Sequence, residues 1–464
     1  MFSRQVTGRW LELLLIGAGL AGLACAALGD RISDRLHEDE SDYVTAAIQL
    51  THHGILAFSA PSAVLPAPSA YREPAYPALI AVAWRIAGVS PPLAPDAIVQ
   101  LPADAAAWRP VRALNQTLLA ISTLAVALAV RRLAGLRAGA LAFALVASSA
   151  ALQANVPKAM AENLTAAHLA LAGVCLLALA RRTPGARLAT IVVVGLLPLS
   201  RAEGLLLLPA ALCIDWVSAS GRSPAARLRA GALLALGLAA PAALWMARNA
   251  VRLGHPVLAD RSGLALAVRA ALDADVERFG VRSALLAWTP IEVERRELLR
   301  SSPEPTWRDF RPLRSDNYYF RTLRRWQEER RREADSLEVD AIFRREALLR
   351  FVTQPWVHAR GGLAVAWRGL FAERSPEWLR PFDATLALGL LLAAGFSVAT
   401  AGALARRALP VLALLAPAWI LFAFHVAATE MLPRYMVPLL PLAWAAAALV
   451  IAGQAGASGR QRLS

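Results

Sequence analysis

The chain has 464 residues, is 57% hydrophobic and carries a formal charge of +15, with 18% charged residues. It is too apolar for an ordinary soluble enzyme and too charged for a bare helical bundle, so a membrane domain with a substantial polar part is expected. The basic balance does not indicate nucleic acid, because the arginines fall between apolar runs rather than in one soluble basic domain.

A membrane helix needs roughly 20 apolar residues. In chain order, runs at 11–29, 111–133, 139–156, 164–180, 230–247, 384–404, 409–428 and 437–451 meet or approach that length. The stretch 188–216 is interrupted by Ser200-Arg201-Ala202-Glu203-Gly204 and reads as one span or as a hairpin of two short ones. The first run is followed by an acidic loop rather than a small-residue cleavage site, so it is read as a retained helix. Cys25, Cys175 and Cys213 all lie inside apolar runs and are read as small core residues.

Charge sets the orientation. Arg4, Arg9, Arg131, Arg132, Arg137, Arg181, Arg182, Arg187, Arg222, Arg227, Arg229, Arg406, Arg407, Arg460 and Arg462 occupy one set of connections. The alternate connections hold Glu38, Asp39, Glu40, Asp42, Glu73, Glu162, Glu203 and Glu430. Only a hairpin at 201–204 leaves both Arg187 and Arg222 on the arginine side. The expectation is an all-α integral membrane protein with about ten crossings, both termini cytoplasmic, in the inner (plasma) membrane.

The whole chain, 1–464, then reads as one membrane domain with two long outer loops. The first, 30–110, contains a short apolar stretch at 74–89 that suits an interfacial helix. The second, 248–382, is rich in Arg and Glu, and Phe343, Ala347, Leu348 and Phe351 recur at helical spacing. It is read as amphipathic helices along the outer surface. No internal repeat is evident, which counts against a secondary transporter.

Candidate chemistry sits in the outer connections. His37-Glu38-Asp39-Glu40-Ser41-Asp42-Tyr43 follows the first helix. Clustered carboxylates recruit a cation or cationic substrate, or supply a general base; equally, they suit the first turn of a helix over 43–52. Tyr71-Arg72-Glu73-Pro74-Ala75-Tyr76-Pro77 places an Arg–Glu pair beside aromatics, as a lipid phosphate requires and as an ordinary aromatic belt also shows. Glu162, Arg201, Glu203, Arg248, Arg434 and Tyr435 stand at outer helix ends. A charge at bilayer depth costs roughly 2.5–3.5 kcal/mol, so each calls for a partner or a role, unless it snorkels to the interface. His52, His53, His255 and His425 have no metal-ligand spacing and are read as structural, and sequons at Asn115 and Asn163 fall in helices.

The order of these pieces resembles the GT-C superfamily of polyprenyl-phosphate-sugar glycosyltransferases, which includes protein O-mannosyltransferases and lipid A aminoarabinose transferases. The acidic stretch, the tyrosine–proline segment at 71–77, and the segments 111–135, AENLTAAHLAL (161–171), LPLSRAEGLLLLP (197–209), ARNAVRLGHPVLADRSG (247–263) and EMLPRYMVPLLP (430–441) carry the likeness, over nearly the whole chain. The resemblance implies a GT-C-like fold. It also implies transfer of a sugar from a polyprenyl phosphate to a lipid, glycan or protein acceptor outside the cytoplasm. It puts Asp39, with its neighbour Glu40, at the acceptor-activating position and Glu162 at a second acidic position. Arg434 falls near the donor phosphate, where Arg72, Arg201, Arg248 and Tyr435 are further candidates; Asp42, Glu73 and Tyr76 complete the set. Aminoarabinose transferases carry an acidic residue then a basic one before the proline; here the order is Arg72 then Glu73. A divalent cation (Mg or Mn) therefore stays open and no metal ligand is assigned. A lipid-linked glycan polymerase or ligase, using loop arginines and a histidine, is the alternative; a flippase is a third.

Overall fold

In the computed structural model the residues described are 2–28, 38–58, 65–91, 106–290, 317–332, 336–373, 384–430 and 433–460. His37, Met431, Leu432 and Arg462, and parts of both outer loops, lie outside them. The described residues are helical, without strands. They divide into two compact units. Unit 1 comprises 1–258, 391–420 and 437–464; unit 2 comprises 259–390 and 421–436.

Unit 1 begins with α1 (Phe2–Leu28), α2 (Glu38–His53) and α3 (Ala75–Ile86). Then come α4 (Trp108–Ala134), α5 (Leu136–Ala147), the single turn α6 (Ala150–Gln153), α7 (Glu162–Ala180), α8 (Ala186–Ser200), α9 (Leu207–Ser218) and α10 (Pro224–Leu253). Unit 2 contains α11 (Ser262–Phe279), α12 (Val281–Trp288), α13 (Tyr318–Arg332), α14 (Ser336–Thr353) and α15 (Pro355–Gly369). The chain continues through α16 (Thr385–Ala405), α17 (Leu409–Ala428), the short α18 (Pro433–Met436) and α19 (Leu440–Arg460).

Among the described residues six helices are long and apolar enough to cross a membrane: α4, α7, α10, α16, α17 and the Pro433–Gly453 stretch that ends in α19. Shorter apolar helices are Trp10–Ala26, α3, α5 and α8. The run 139–156 is not one long helix. It ends at Ala147, and Ser149 caps α6 by accepting from the Leu152 N–H at 3.3 Å. Leucines 228, 233, 236 and 244 of α10 and Trp10, Leu13 and Leu14 of α1 are exposed, which water would penalise and lipid does not. The chain is an integral membrane protein. Of the cysteines only Cys175 is buried; Cys25 and Cys213 are exposed on apolar helices. Close helix contact depends on small residues: a Cβ on Gly173 of α7 would lie 2.6 Å from the Leu414 carbonyl oxygen of α17.

The break in 188–216 is present. Arg201 is extended, Ala202–Leu206 forms a 3₁₀ turn, and α9 follows. Arg187 donates from Nε and Nη2 to the two Asp215 carboxylate oxygens at 2.9 and 3.0 Å. The start of α8 therefore lies beside the end of α9, as in a hairpin. Other contacts gather at a common end: Arg137 pairs with Glu12 at 3.2 Å, and the Arg181 guanidinium reaches the Arg132 carbonyl. Glu162 is at the far end of α7, a separation of roughly 27 Å at 1.5 Å rise per residue. The end that gathers Arg132, Arg137, Arg181 and Arg187 is thus a helix length away from Glu162.

Under the acidic end lies an apolar cluster. It contains Tyr43, Val44, Ala47 and Ile48 of α2, Tyr76, Ile80 and Trp84 of α3, Trp108 and Val111 of α4, and Leu164 of α7. Burying each large side chain stabilises by roughly 1.5–3 kcal/mol, which makes this cluster the floor that holds α2 and α3 in place.

In unit 2, α13 buries Tyr318, Thr322 and Trp326, and α14 buries Val339, Phe343 and Ala347, each at four-residue steps. Leu348, expected on the same stripe, is 47% exposed. An Asp340 carboxylate oxygen accepts from the Gly263 and Leu264 N–H groups at 2.7 and 3.2 Å, satisfying orphan donors at the start of α11.

Candidate active site

The acids of the first outer segment lie within a helix rather than ahead of one. α2 starts at Glu38, so Asp39 and Asp42 are one turn apart on the same face. Two carboxylates so placed repel each other. The segment before α3 answers with Arg72, which donates from Nε to an Asp42 oxygen at 2.9 Å and from Nη2 to both Asp42, at 2.6 Å, and Asp39. The guanidinium also sits over the rings of Tyr43 and Tyr71, at 5.1 and 5.7 Å. Side-chain exposure of Arg72, Asp39 and Asp42 is 13%, 17% and 27%, so the group is sheltered but open to a ligand.

Glu40 points the other way. It is buried and accepts from the Ala159 N–H at 2.9 Å. That bond ties α2 to the segment leading into Glu162. The same segment is held by Asn115, whose Nδ2 donates to the carbonyls of Val156 and Lys158 at 3.0 and 2.6 Å. The Tyr76 hydroxyl donates to Asn115 Oδ1 at 2.9 Å, and Trp108 Nε1 to the Pro157 carbonyl at 3.2 Å. Asn115, discounted in the sequence as a sequon, is a fastener of the site. Asn115 is fully buried, and a buried amide calls for such partners.

Glu73 accepts from the Ala202 N–H at 3.1 Å, which joins the first outer segment to the α8–α9 break, and Arg201 pairs with Glu203 at 2.8 Å. Burial, and after it the charge of Glu203, push the Glu73 carboxyl above the usual carboxylate range. Burial also raises the Tyr43 phenol; Arg72 opposes this, and the charges of Glu73, Glu162 and Arg201 are all felt there. Arg72, Glu73, Glu162 and Arg201 are thus within electrostatic reach of Tyr43; Tyr76 packs edge-on against its ring at 5.3 Å, and Asp39 and Asp42 join through Arg72. Arg248 lies near the end of α10, where it donates to Asn249 Oδ1 at 2.7 Å and stacks on Trp245. Arg434 and Tyr435 belong to unit 2, on α18, with Tyr435 stacked on His425.

Among the described residues no group of three or more His, Cys, Asp or Glu is placed to hold a metal ion. Asp39 and Asp42 are already turned onto Arg72. These residues do not fit a divalent cation, and no step is assigned to one.

A second buried cluster, which sequence reasoning missed, lies in unit 2. Asp273 accepts from Arg269 Nε at 2.9 Å and its other oxygen meets His358 Nδ1 at 2.7 Å. Arg269 also donates to the carbonyls of Val426 and His358, and Phe351 stacks on the imidazole at 4.1 Å.

A polytopic helical fold with a carboxylate-lined end is the class these observations define. No family model matches the sequence, and no curated protein matches it. Solved structures do. The Archaeoglobus fulgidus oligosaccharyltransferase in its apo form matches with 16% identity and a TM-score of 0.50, over 95% of this chain and 50% of that one. The same archaeal protein with an inhibitory peptide and a dolichol-phosphate matches with 14% identity and a TM-score of 0.45, over 93% and 50%. ArnT from Cupriavidus metallidurans bound to undecaprenyl phosphate gives 14% identity and a TM-score of 0.38, over 94% and 76%. The chain spans about half the length of the archaeal structures it matches. The all-helical membrane fold expected from the sequence is the fold found, and the apo archaeal oligosaccharyltransferase shares it at a TM-score of 0.50.

Proposed function

We propose that this protein is a membrane glycosyltransferase that moves a sugar from a polyprenyl-phosphate donor to an acceptor on the extracytoplasmic side. The observation that carries the reading is Arg72 holding Asp39 and Asp42 beside the Tyr43 ring, with Glu40 tying the same helix to the segment that leads into Glu162. The archaeal oligosaccharyltransferase fold supports it.

In this reading Asp39 takes the proton of the acceptor hydroxyl or amide as that atom attacks the anomeric carbon. The bond from the anomeric carbon to the phosphate oxygen breaks, and its electron pair leaves with the polyprenyl phosphate. Arg201, with Arg248 as a further donor, would meet that developing charge. One displacement of this kind inverts the anomeric centre. Glu40, Asn115 and Tyr76 position the segment that bears Glu162. The arginine-rich end would face the cytoplasm, with both termini, in a plasma membrane.

The test uses the full chain in lipid nanodiscs with a synthetic polyprenyl-phosphate sugar carrying a labelled sugar, and a membrane extract as acceptor source. Label should leave the prenyl carrier, and Asp39→Asn should stop this while the protein remains inserted and monodisperse. Full activity in that variant would remove Asp39 as the base.

One observation favours a second reading, a lipid-linked glycan polymerase or ligase: the large loop does hold a histidine, His358, set on a buried aspartate beside Arg269. Loss of glycan transfer in His358→Ala, with Asp39→Asn still active, would select it.

A further inference from the structure

The Asp39–Asp42 pair has the form of a cation site, yet a protein side chain fills it. We propose that Arg72 is a built-in cation: its guanidinium occupies the place, and supplies part of the positive charge, that a divalent ion would otherwise provide, and the wild-type pair binds no such ion. This deepens the reading of the same site, but its test requires no sugar transfer.

Three features carry the inference. The two carboxylates stand one turn apart on α2 and converge on one guanidinium. Arg72 reaches them with two nitrogens, Nε and Nη2, so the fork is oriented and not merely nearby. Finally, Tyr43 and Tyr71 present their rings to the guanidinium, and only 13% of the side chain is exposed, so it has little room to swing aside. An arginine cannot lose its proton under physiological conditions, whereas a bound ion dissociates and must shed water to enter. The consequence is a carboxylate pair that always carries one balancing positive charge and whose Asp39 is held at a fixed angle. Arg72 is thus a positioning residue.

The experiment is Mn²⁺ binding to chelator-stripped full-length protein in nanodiscs, read by the EPR signal of free Mn²⁺. Wild type should bind none at this pair, so that Asp42→Asn leaves its binding curve unchanged. Arg72→Ala should open the pair and gain one Mn²⁺ site at least tenfold tighter than any in wild type. The double variant Arg72→Ala/Asp42→Asn should lose it again. Arg72→Met, closer in shape, serves if the alanine variant does not fold. One Mn²⁺ bound by wild type and removed by Asp42→Asn would overturn the proposal. So would a folded, monodisperse Arg72→Met that gains no site. The wild-type comparison is readable even if both Arg72 variants fail to fold. Failure of sugar transfer in every form would refute the proposed function and leave these binding results intact.

Discussion

The protein builds two clusters from the same parts, and they behave differently. Arg72 with Asp39 and Asp42 in unit 1, and Arg269 with Asp273 and His358 in unit 2, each hold an arginine against carboxylate oxygens. Arg269 and Asp273 are 0% and 1% exposed, and the remaining guanidinium nitrogens are spent on the backbone carbonyls of His358, Val426 and Thr429. Burial pulls the Arg269 guanidinium below its ordinary value, and Asp273 opposes this. Such a cluster locks α11 to α15 and has little left for a ligand; only the imidazole, 23% exposed, reaches out. The Arg72 cluster keeps its carboxylates partly open. A fully spent charge network specifies packing, and a partly open one is fit for chemistry.

The widest separation between the clusters should come from Asp39→Asn. Transfer of labelled sugar should fall by about 100-fold or more, the usual range for a general base, with thermal unfolding nearly unchanged. A comparable loss of stability would instead make Asp39 structural. Asp273→Ala should do the opposite. It strands a buried guanidinium, so stability should drop by roughly 3–5 kcal/mol in denaturant titrations, and unit 2 should become sensitive to protease. Arg72→Met should cost clearly less than this, because its acids stay partly wet; equal costs would erase the distinction.

A narrower probe is Gly361→Ala. A Cβ there would lie 1.8 Å from Asp273 Oδ1, so about 1–3 kcal/mol of destabilisation is expected from overpacking. Unchanged melting would mean that α11 and α15 are less tightly apposed.

Glu73 offers a pH test. Its folded-state value is raised, so its contribution to stability is full below the ordinary carboxylate range and is lost as pH rises through the raised value. Glu73→Gln keeps an acceptor for the Ala202 N–H and cannot ionise. Melting temperature of the variant relative to wild type should therefore improve from pH 4 toward pH 7. A constant difference would contradict the raised value. The smallest effect is expected at Arg325–Glu346, an ion pair with both side chains about half exposed, where Glu346→Ala should change stability by about 0.5 kcal/mol or less.

Several of these features were legible before any coordinates. Apolar run lengths located α4, α7, α10, α16 and α17, because crossing a bilayer demands a minimum length of apolar helix whatever the neighbours are. The polar break at 201–204 announced the turn between α8 and α9. Other features were hidden for identifiable reasons. Asp215 reads as one stray acid in an apolar stretch until the hairpin brings Arg187 to it. The i,i+4 spacing of Arg269 and Asp273 was visible, but ordinary surface helices show the same spacing; burial against α15 is what gives it weight. Leu348 fits the helical period of Phe343 and Ala347 and yet faces outward, because the buried stripe runs through Val339 instead.

By itself the sequence determined that the chain is a polytopic membrane protein, because hydropathy acts locally on how each segment meets the bilayer. Only the tertiary structure decided what its acids do. Asp39 and Asp42 share one guanidinium from a segment 30 residues away, Glu40 turns inward to hold Ala159, and Glu73 reaches the turn after α8. Helical period puts a side chain on a face, but the crossing of helices and the path of the segments between them select the partner it meets.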